Sequence, residues 1–407
     1  MLIPLCAIVT FIAQPAGSSP PVQVTGHVVK PAAVDATADR IATLKAPDGL
    51  AVTVFAKGLG KPRMIAVTDD GGVYITRRGK KEDGGGDVLL LRDTDNDGVA
   101  DYSAAAAELD HAHGVALRPG TDELYIVTVN ELYRFKREND GKLAGKTRIV
   151  AGLPDAGQHP NRTIAFKPGD ARTLYLSIGS TCNACLEPNP LAATLATITL
   201  PESGDAAPQP TPFAKGLRNT IGFAWHPTTG ELWGMDHGID WLGDDEQGEE
   251  LNRIAPGADY GWPVVYERNR INDTLASELP RGESKESYAA RCTPSTMTTT
   301  AHAAPMQMAF CTALGALGDY VGDAFVAMHG SWNRKDPSGY SVVRVRFDPS
   351  GEPKAIEPFL TGWLDPRGAK DGSPTMFGRP CGLAFAKDGA MLITDDLNGV
   401  VYRVARK

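Results

Sequence analysis

No run of lysine and arginine in this chain is long enough to track a phosphate backbone, and 41 basic against 49 acidic residues leave a formal charge of −8. Nucleic acid is therefore not an expected partner. Nowhere do about 20 apolar residues follow one another, the length a bilayer-spanning helix needs, so stable membrane insertion is not expected either. No GxGxxG follows an apolar strand, which removes the nicotinamide reading, and no GxSxG or HExxH offers a nucleophile elbow or a zinc pair. The one CxxC, Cys182 and Cys185 in STCNACLEP, has Leu186 where haem attachment requires His. No second ligand pair follows at zinc spacing. Glycine and proline, by contrast, are abundant: 44 and 30, scattered without period. A chain that turns this often favours many short strands over long helices. Of its 407 residues 42% are hydrophobic, enough for a large core.

The chain opens with LIPLCAIVTFIA and continues QPAGSSPP. An apolar stretch too short to span a bilayer, followed by small residues and prolines, reads as a secretory signal peptide over 1–17, although the basic residues that usually precede it are lacking. The alternative is a buried N-terminal strand. Export places the mature protein in the periplasm or outside the cell. Residues 18–44, rich in Pro, Ala and Val without alternation, are expected to form an extended linker. Five cysteines remain after the leader: Cys182, Cys185, Cys292, Cys311 and Cys381. An oxidising compartment favours a small Cys182–Cys185 loop and a second bridge from Cys292 to Cys311, with one thiol left over.

The chain repeats itself. KPRMIAVTDDGGVYITRR, HAHGVALRPGTDELYIVTV, PNRTIAFKPGDARTLYLSI, LRNTIGFAWHPTTGELWGMD, HAAPMQMAF leading to DAFVAMHG, and GRPCGLAFAKDGAMLITDD are each an apolar strand, a turn and a second apolar strand. Their shared alanines are Ala66, Ala116, Ala165, Ala224, Ala309 and Ala384, at intervals of 50, 49, 59, 85 and 75 residues. Periods of about 40–50 residues mark propeller blades. Such sheets cannot bury both faces alone and pack around an axis. The expected fold is all-β, a six-bladed β-propeller over 45–407, with an insertion at 264–300. LAVTVFAKG at 50–58 should pair with GVVYRVAR at 399–406 and close the ring.

Residues just before each innermost strand lie on one rim of the channel. Arg63, His113 and Arg162 stand three positions before the shared alanine, Asn219 and Arg379 five before with Arg218 adjacent, and His302 seven before; His159 lies in GQHPNR. Arginine forks and imidazoles so placed make a cavity for a polyanion. Single members could instead be strand-end ion pairs. Seven acids fall between Asp236 and Glu250, interleaved with glycines whose carbonyls could offer calcium its oxygen ligands; a solvated turn is the plainer reading. Asp93, Asp95 and Asp97 with Gly98 match the start of a calcium loop without its closing Glu and point to a structural ion.

GLRNTIGFAWHP, EELNRIAPGADYGWP, HGSWNR and GRPCGLAFAKDGAMLITDD resemble the soluble quinoprotein sugar dehydrogenases, and STCNAC and AHAAP resemble their L-sorbosone dehydrogenase branch. The resemblance runs from about residue 45 to the C-terminus, thinning over 187–210 and 264–300. It implies a six-bladed propeller holding pyrroloquinoline quinone (PQQ) and calcium, and hydride transfer from a sugar alcohol, hemiacetal or aldehyde-hydrate carbon of an aldose or sorbosone. It implies His159 as base and Arg218 with Asn219 beside the quinone, and Arg334 and Arg379 are chosen for its contacts from the later blades; the rim reading adds Arg63 and Arg162 to the cofactor-binding set. The carbonyls of Gly238 and Ile239 match ligands of the cofactor's calcium, with Gly-Ile where the family has Gly-Pro; Glu250 and the Tyr260 carbonyl match a second calcium site. Electrons would pass to an acceptor such as a periplasmic cytochrome or a quinone. A calcium-dependent lactonase-like propeller, which needs carboxylates more than arginines at the mouth, and a non-catalytic carbohydrate- or protein-binding propeller are the rival readings.

Overall fold

The computed structural model describes residues 8–11, 24–80, 86–154, 157–201, 208–276, 278–312 and 314–407. Each repeat folds as an antiparallel meander, and six four-stranded sheets are formed among the described residues. Their first strands are Pro62–Val67, Gly114–Leu117, Ile164–Phe166, Gly222–Trp225, Pro305–Phe310 and Pro380–Phe385. These strands pack against one another as the inner wall of a β-propeller-type fold. Every shared alanine lies on one of them and faces a large residue across the hairpin. Ala66 opposes Tyr74, Ala116 Tyr125, Ala165 Tyr175, Ala224 Trp233, Ala309 Phe325 and Ala384 Leu392. Small residues line the crowded inner wall while rings fill the space one strand further out, as close packing requires. Two glycines mark close approaches between neighbouring first strands. A Cβ on Gly222 would lie 2.0 Å from the Met306 carbonyl, and one on Gly382 would lie 2.2 Å from that of Arg63.

The ring closes as expected: Leu50–Ala56 is the outer strand of the last sheet, paired with Val400–Arg406 from Leu50↔Arg406 to Ala56↔Val401. Of the stretch read as a leader, only Ile8–Phe11 is described, as a strand paired with Val24–His27; the rest lies outside the described residues. From residue 24 onward the expected linker is docked onto the sheets. Ala32–Ala33 pairs in parallel with Thr375–Met376, Val29 N donates to Trp332 O at 3.1 Å, and Thr37 caps the short helix Ala38–Ile41. Val34, Ala36, Ile41 and Leu44 pack on the cluster containing Leu360 and Trp363, so apolar residues without period serve here as anchors.

The insertion builds a small hairpin, Val265–Tyr266 with Arg270–Ile271, and a helix, Lys285–Arg291, capped by Ser284. It stops short of 300, because Met297–Thr299 is already the outer strand of the fourth sheet. Cys182 and Cys185 are bridged. The expected Cys292–Cys311 bridge is absent: Cys292, Cys311 and Cys381 are buried thiols outside any disulfide. The helix carries Cys292 into a cluster with Val264 and Val265, whereas Cys311 lies beside Phe325 in another. No helix among the described residues is long and apolar enough to cross a membrane.

Candidate active site

The first strands end at a cavity of about 310 Å³ whose lining includes Arg63, Arg78, Arg218 and Arg379, with His159, His237, His302 and His329, against only Asp240 and Glu249. Arg63 is fully buried and paired with Asp396, which also accepts from His329 Nε2 at 2.8 Å. Arg218 pairs with Asp240 at 2.9 Å. Among the described residues no carboxylate lies within salt-bridge reach of Arg78 or Arg379, and the charge of Arg63 pulls the Arg78 guanidinium down from its ordinary value. Cations crowded together in this way hold an anion well.

Hydrogen bonds show which imidazoles keep an unengaged ring nitrogen among the described residues. His159 Nδ1 lies 3.0 Å from the Ser180 carbonyl, which can only accept, so Nδ1 carries the proton and Nε2 the lone pair. His113 spends both nitrogens, donating from Nδ1 to Arg162 O at 2.7 Å and facing Arg63 from Nε2 at 3.4 Å. His302 is spent too: Nε2 donates to Gly243 O at 2.7 Å, and Nδ1 accepts from Asn333 at 3.1 Å. His237 donates from Nε2 to Pro305 O and keeps Nδ1, making it the nearer competitor. Burial first, then the Arg218 charge, lowers His159 to about 2 and His237 to about 3. Both rings are neutral at pH 7.

The GLRN turn is held from below by Asp236, at the end of the second strand of its sheet. Its carboxylate accepts from Arg218 N and Asn219 N, each at 2.8 Å, and from Thr220 Oγ1 at 2.7 Å. The other acids of the run are also engaged. Glu249 accepts from Gly238 N at 2.9 Å and Ala304 N at 2.8 Å; Glu250 accepts from Gln247 and Glu267 N. Asp244 binds His27, Asp245 binds Arg334, and Glu246 binds Arg270. Every carboxylate between Asp236 and Glu250 therefore has a protein partner. Burial pushes Asp236, Glu249 and Glu250 up to about 6, 7 and 8 respectively.

Of the residues singled out in the sequence, Arg63, His159, Arg218, Asn219, Gly238, His302 and Arg379 line the cavity together. Arg162 lies behind it, donating to the carbonyls of His159 and Pro154 and bracing the His159 loop. Arg334 turns to Asp245. Ile239 is buried with Ala193 and Trp262. Tyr260 is buried, its hydroxyl donating to Arg253 O and accepting from Ala255 N. Asp93, Asp95 and Asp97 converge within 4.8 Å on a separate loop. Arg78, His237, His329 and Asp396 were missed, and they share one signal. Each directly follows the second strand of its sheet: Val73–Arg77, Leu232–Asp236, Ala324–Met328 and Met391–Asp395. Antiparallel pairing returns that strand to the rim where the first begins, as in Pro62↔Arg77 and Pro380↔Asp395.

The model of the TrAA12-like family matches residues 44–407. A protein of Borreliella burgdorferi is 28% identical over 371 residues, 89% of this chain and 90% of its own. A pyrroloquinoline quinone-dependent sugar dehydrogenase of Hypocrea jecorina is 25% identical over 400 residues, 88% of each chain. Among solved structures, the calcium structure of the Trichoderma reesei carbohydrate-active enzyme of family AA12 superposes with a TM-score of 0.74 at 21% identity, over 90% of this chain and 97% of that one.

Proposed function

We propose that this chain, which belongs to the TrAA12-like family, is a PQQ-dependent sugar dehydrogenase that takes hydride from a hemiacetal or aldehyde-hydrate carbon of an aldose or sorbosone. The observation that carries the reading is one cavity holding four arginines beside a neutral histidine whose Nε2 faces no protein donor among the described residues. The six four-stranded sheets support a six-bladed propeller with this cavity at the mouth of its channel.

The residues fit the quinone. Three carboxylates on a small planar ligand suit Arg63, Arg78, Arg218 and Arg379 with Asn219, while Arg162 acts from behind and Arg334 from the outer loop. When bound, the quinone supplies a two-electron acceptor for hydride and calcium a Lewis acid beside it. His159 Nε2 takes the proton of the substrate hydroxyl, and the Nδ1–H held on Ser180 O stabilises the imidazolium that results. An anion bound beside the ring would offset the Arg218 charge, the second cause of its lowered proton affinity after burial, and so favour the imidazolium. His113 and Asp396 fix Arg63 so that its fork is set before any ligand arrives.

Calcium is assigned beside the quinone to the Gly238 and Ile239 carbonyls, to Glu250 with the Tyr260 carbonyl, and as a structural ion to Asp93, Asp95 and Asp97, whose carboxylates already converge. The Trichoderma reesei calcium structure supports calcium in this family. Export to the periplasm or beyond, and an acceptor such as a periplasmic cytochrome or a quinone, complete the reading. The test is titration of cofactor-free protein with PQQ and calcium, followed by a panel of aldoses and sorbosone. An absorbance change on binding and bleaching by a sugar are expected; no change at millimolar calcium overturns the assignment.

A further inference from the structure

The proposed chemistry leaves one motif unused, the CxxC of STCNAC. Its bridged loop touches the site on two fronts. Toward Arg218, the Asn183 carbonyl accepts from Nε at 3.0 Å, and Asn183 Oδ1 accepts from the NH2 nitrogen at 2.8 Å. That same Oδ1 takes Asp240 N at 2.8 Å, so one side chain holds both Arg218 and the backbone of its carboxylate partner. Toward His159, Ser180 receives the ring's Nδ1–H, its N donates to Arg218 O at 2.8 Å, and its Oγ donates to Cys182 O at 2.7 Å. Gln158 N, next to His159, donates to Thr181 O at 3.1 Å. The base and the deepest arginine of the fourth sheet are thus set by one short loop, and the Cys182–Cys185 bridge closes that loop around Asn183.

We propose that the Cys182–Cys185 bridge, through Asn183 and Ser180, is a positioning device that holds Arg218 and His159 in register for an anionic ligand. A closed loop loses less freedom when it presents a fixed pair of acceptors, and that preorganisation is what an arginine fork needs to bind two oxygens at once. Reduction breaks the Sγ–Sγ bond to two thiols, taking two electrons and two protons from a dithiol such as dithiothreitol, which leaves as its own disulfide. Freed of the bridge, Asn183 no longer holds both of its donors. The claim rests on the dehydrogenase reading only in naming the ligand of Arg218.

Two measurements test it. In the cofactor-free protein, hydrogen exchange is compared before and after reduction, with thiol titration to confirm two new thiols. Exchange is expected to rise about tenfold over residues 178–186 and at the amides of Gln158 and Asp240, which the loop holds through Thr181 O and Asn183 Oδ1, without loss of protection in the outer strands. Unchanged exchange at Gln158 and Asp240 overturns the proposal whether or not a quinone binds. In protein titrated with PQQ and calcium, Cys182→Ser with Cys185→Ser and Asn183→Leu should each weaken binding about tenfold or more, the size of a lost hydrogen bond to a charged group. Asn183→Asp, which keeps both acceptor contacts, should recover most of the affinity. If Asn183→Leu binds as tightly as the unreplaced protein, the positioning role is refuted. If no form binds quinone, the exchange data alone decide it and the dehydrogenase reading falls separately.

Discussion

Asp396→Asn isolates the electrostatics of the cavity wall. The carboxylate meets the fully buried Arg63 on one oxygen and His329 on the other at 2.8 Å, and those two neighbours hold it well below the usual carboxylate range against the cost of its burial. The amide keeps the shape and an acceptor but removes the charge. No other carboxylate among the described residues lies within salt-bridge reach of Arg63, and its neighbours Arg78, Arg379 and His113 offer only repulsion or a weak lone pair. Breaking a buried pair from one side costs about 3–5 kcal/mol. With roughly 2 °C per kcal/mol for a large domain, the melting temperature at pH 7 should fall by about 6–10 °C. The pH dependence adds a second check. A depressed carboxylate contributes stability that is present above its unfolded value of 3.8 and lost as pH falls below it. The gap between the two proteins should therefore narrow below about pH 4. Thermal unfolding followed by circular dichroism at pH 7 and pH 3.5 reads both. A drop smaller than about 2 °C at pH 7, or a gap that widens in acid, refutes the assignment of Asp396 as the counter-ion of Arg63.

His159→Gln should lower kcat by about two to four orders of magnitude with quinone affinity nearly unchanged, whereas His302→Gln should cost less because both nitrogens of His302 are already engaged; steady-state kinetics at saturating sugar separates the two. Equal losses would shift suspicion to cavity structure, and a loss confined to His237→Gln would move the base to that ring. Chelation should lower the melting temperature by mass action, and a melt independent of free calcium would sink the Glu250 with Tyr260 site and the Asp93, Asp95 and Asp97 site together. A denatured but unreduced chain lacking residues 1–17 should titrate three thiols, from Cys292, Cys311 and Cys381, and almost none when native; a count of one would restore the expected second bridge.

The fold was legible where one residue type had one job. An alanine opposite a large residue recurs because the inner wall is crowded in every sheet, so Ala66 through Ala384 could be aligned without any coordinates. Outer strands carry no such demand. Tyr102–Glu108 reads YSAAAAE and Thr211–Lys215 reads TPFAK, both largely exposed, and neither announces itself. The site was legible to the same extent. Residues at or just before the start of the first strands could be counted from the alanine, which found Arg63, Arg218 and Arg379. The return ends of the second strands, with Arg78, His329 and Asp396, needed the pairing register. The acidic run was read as an oxygen-rich loop because local sequence shows charge but not donors. Its partners come from afar: His27 for Asp244, and Ala304 for Glu249. The Cys292–Cys311 pairing failed for the same reason, since the path of the intervening insertion decides where each sulfur lies.

Closure of the ring by Leu50–Ala56 against Val400–Arg406 sets an order on synthesis. The strand that seals the last sheet leaves the ribosome 350 residues ahead of its partner, Leu50 against Val400. Until Val400–Arg406 emerges, Leu50–Ala56 has no strand to pair with, and the sixth sheet cannot be completed. A chain growing at about 5–20 residues per second keeps that edge open for tens of seconds, long enough for it to recruit another strand wherever concentration allows. A chain that stops before Val400 should accordingly be an adhesive one rather than a smaller version of the protein, and emergence of Val400–Arg406 is the event that turns a row of unsealed meanders into a closed ring.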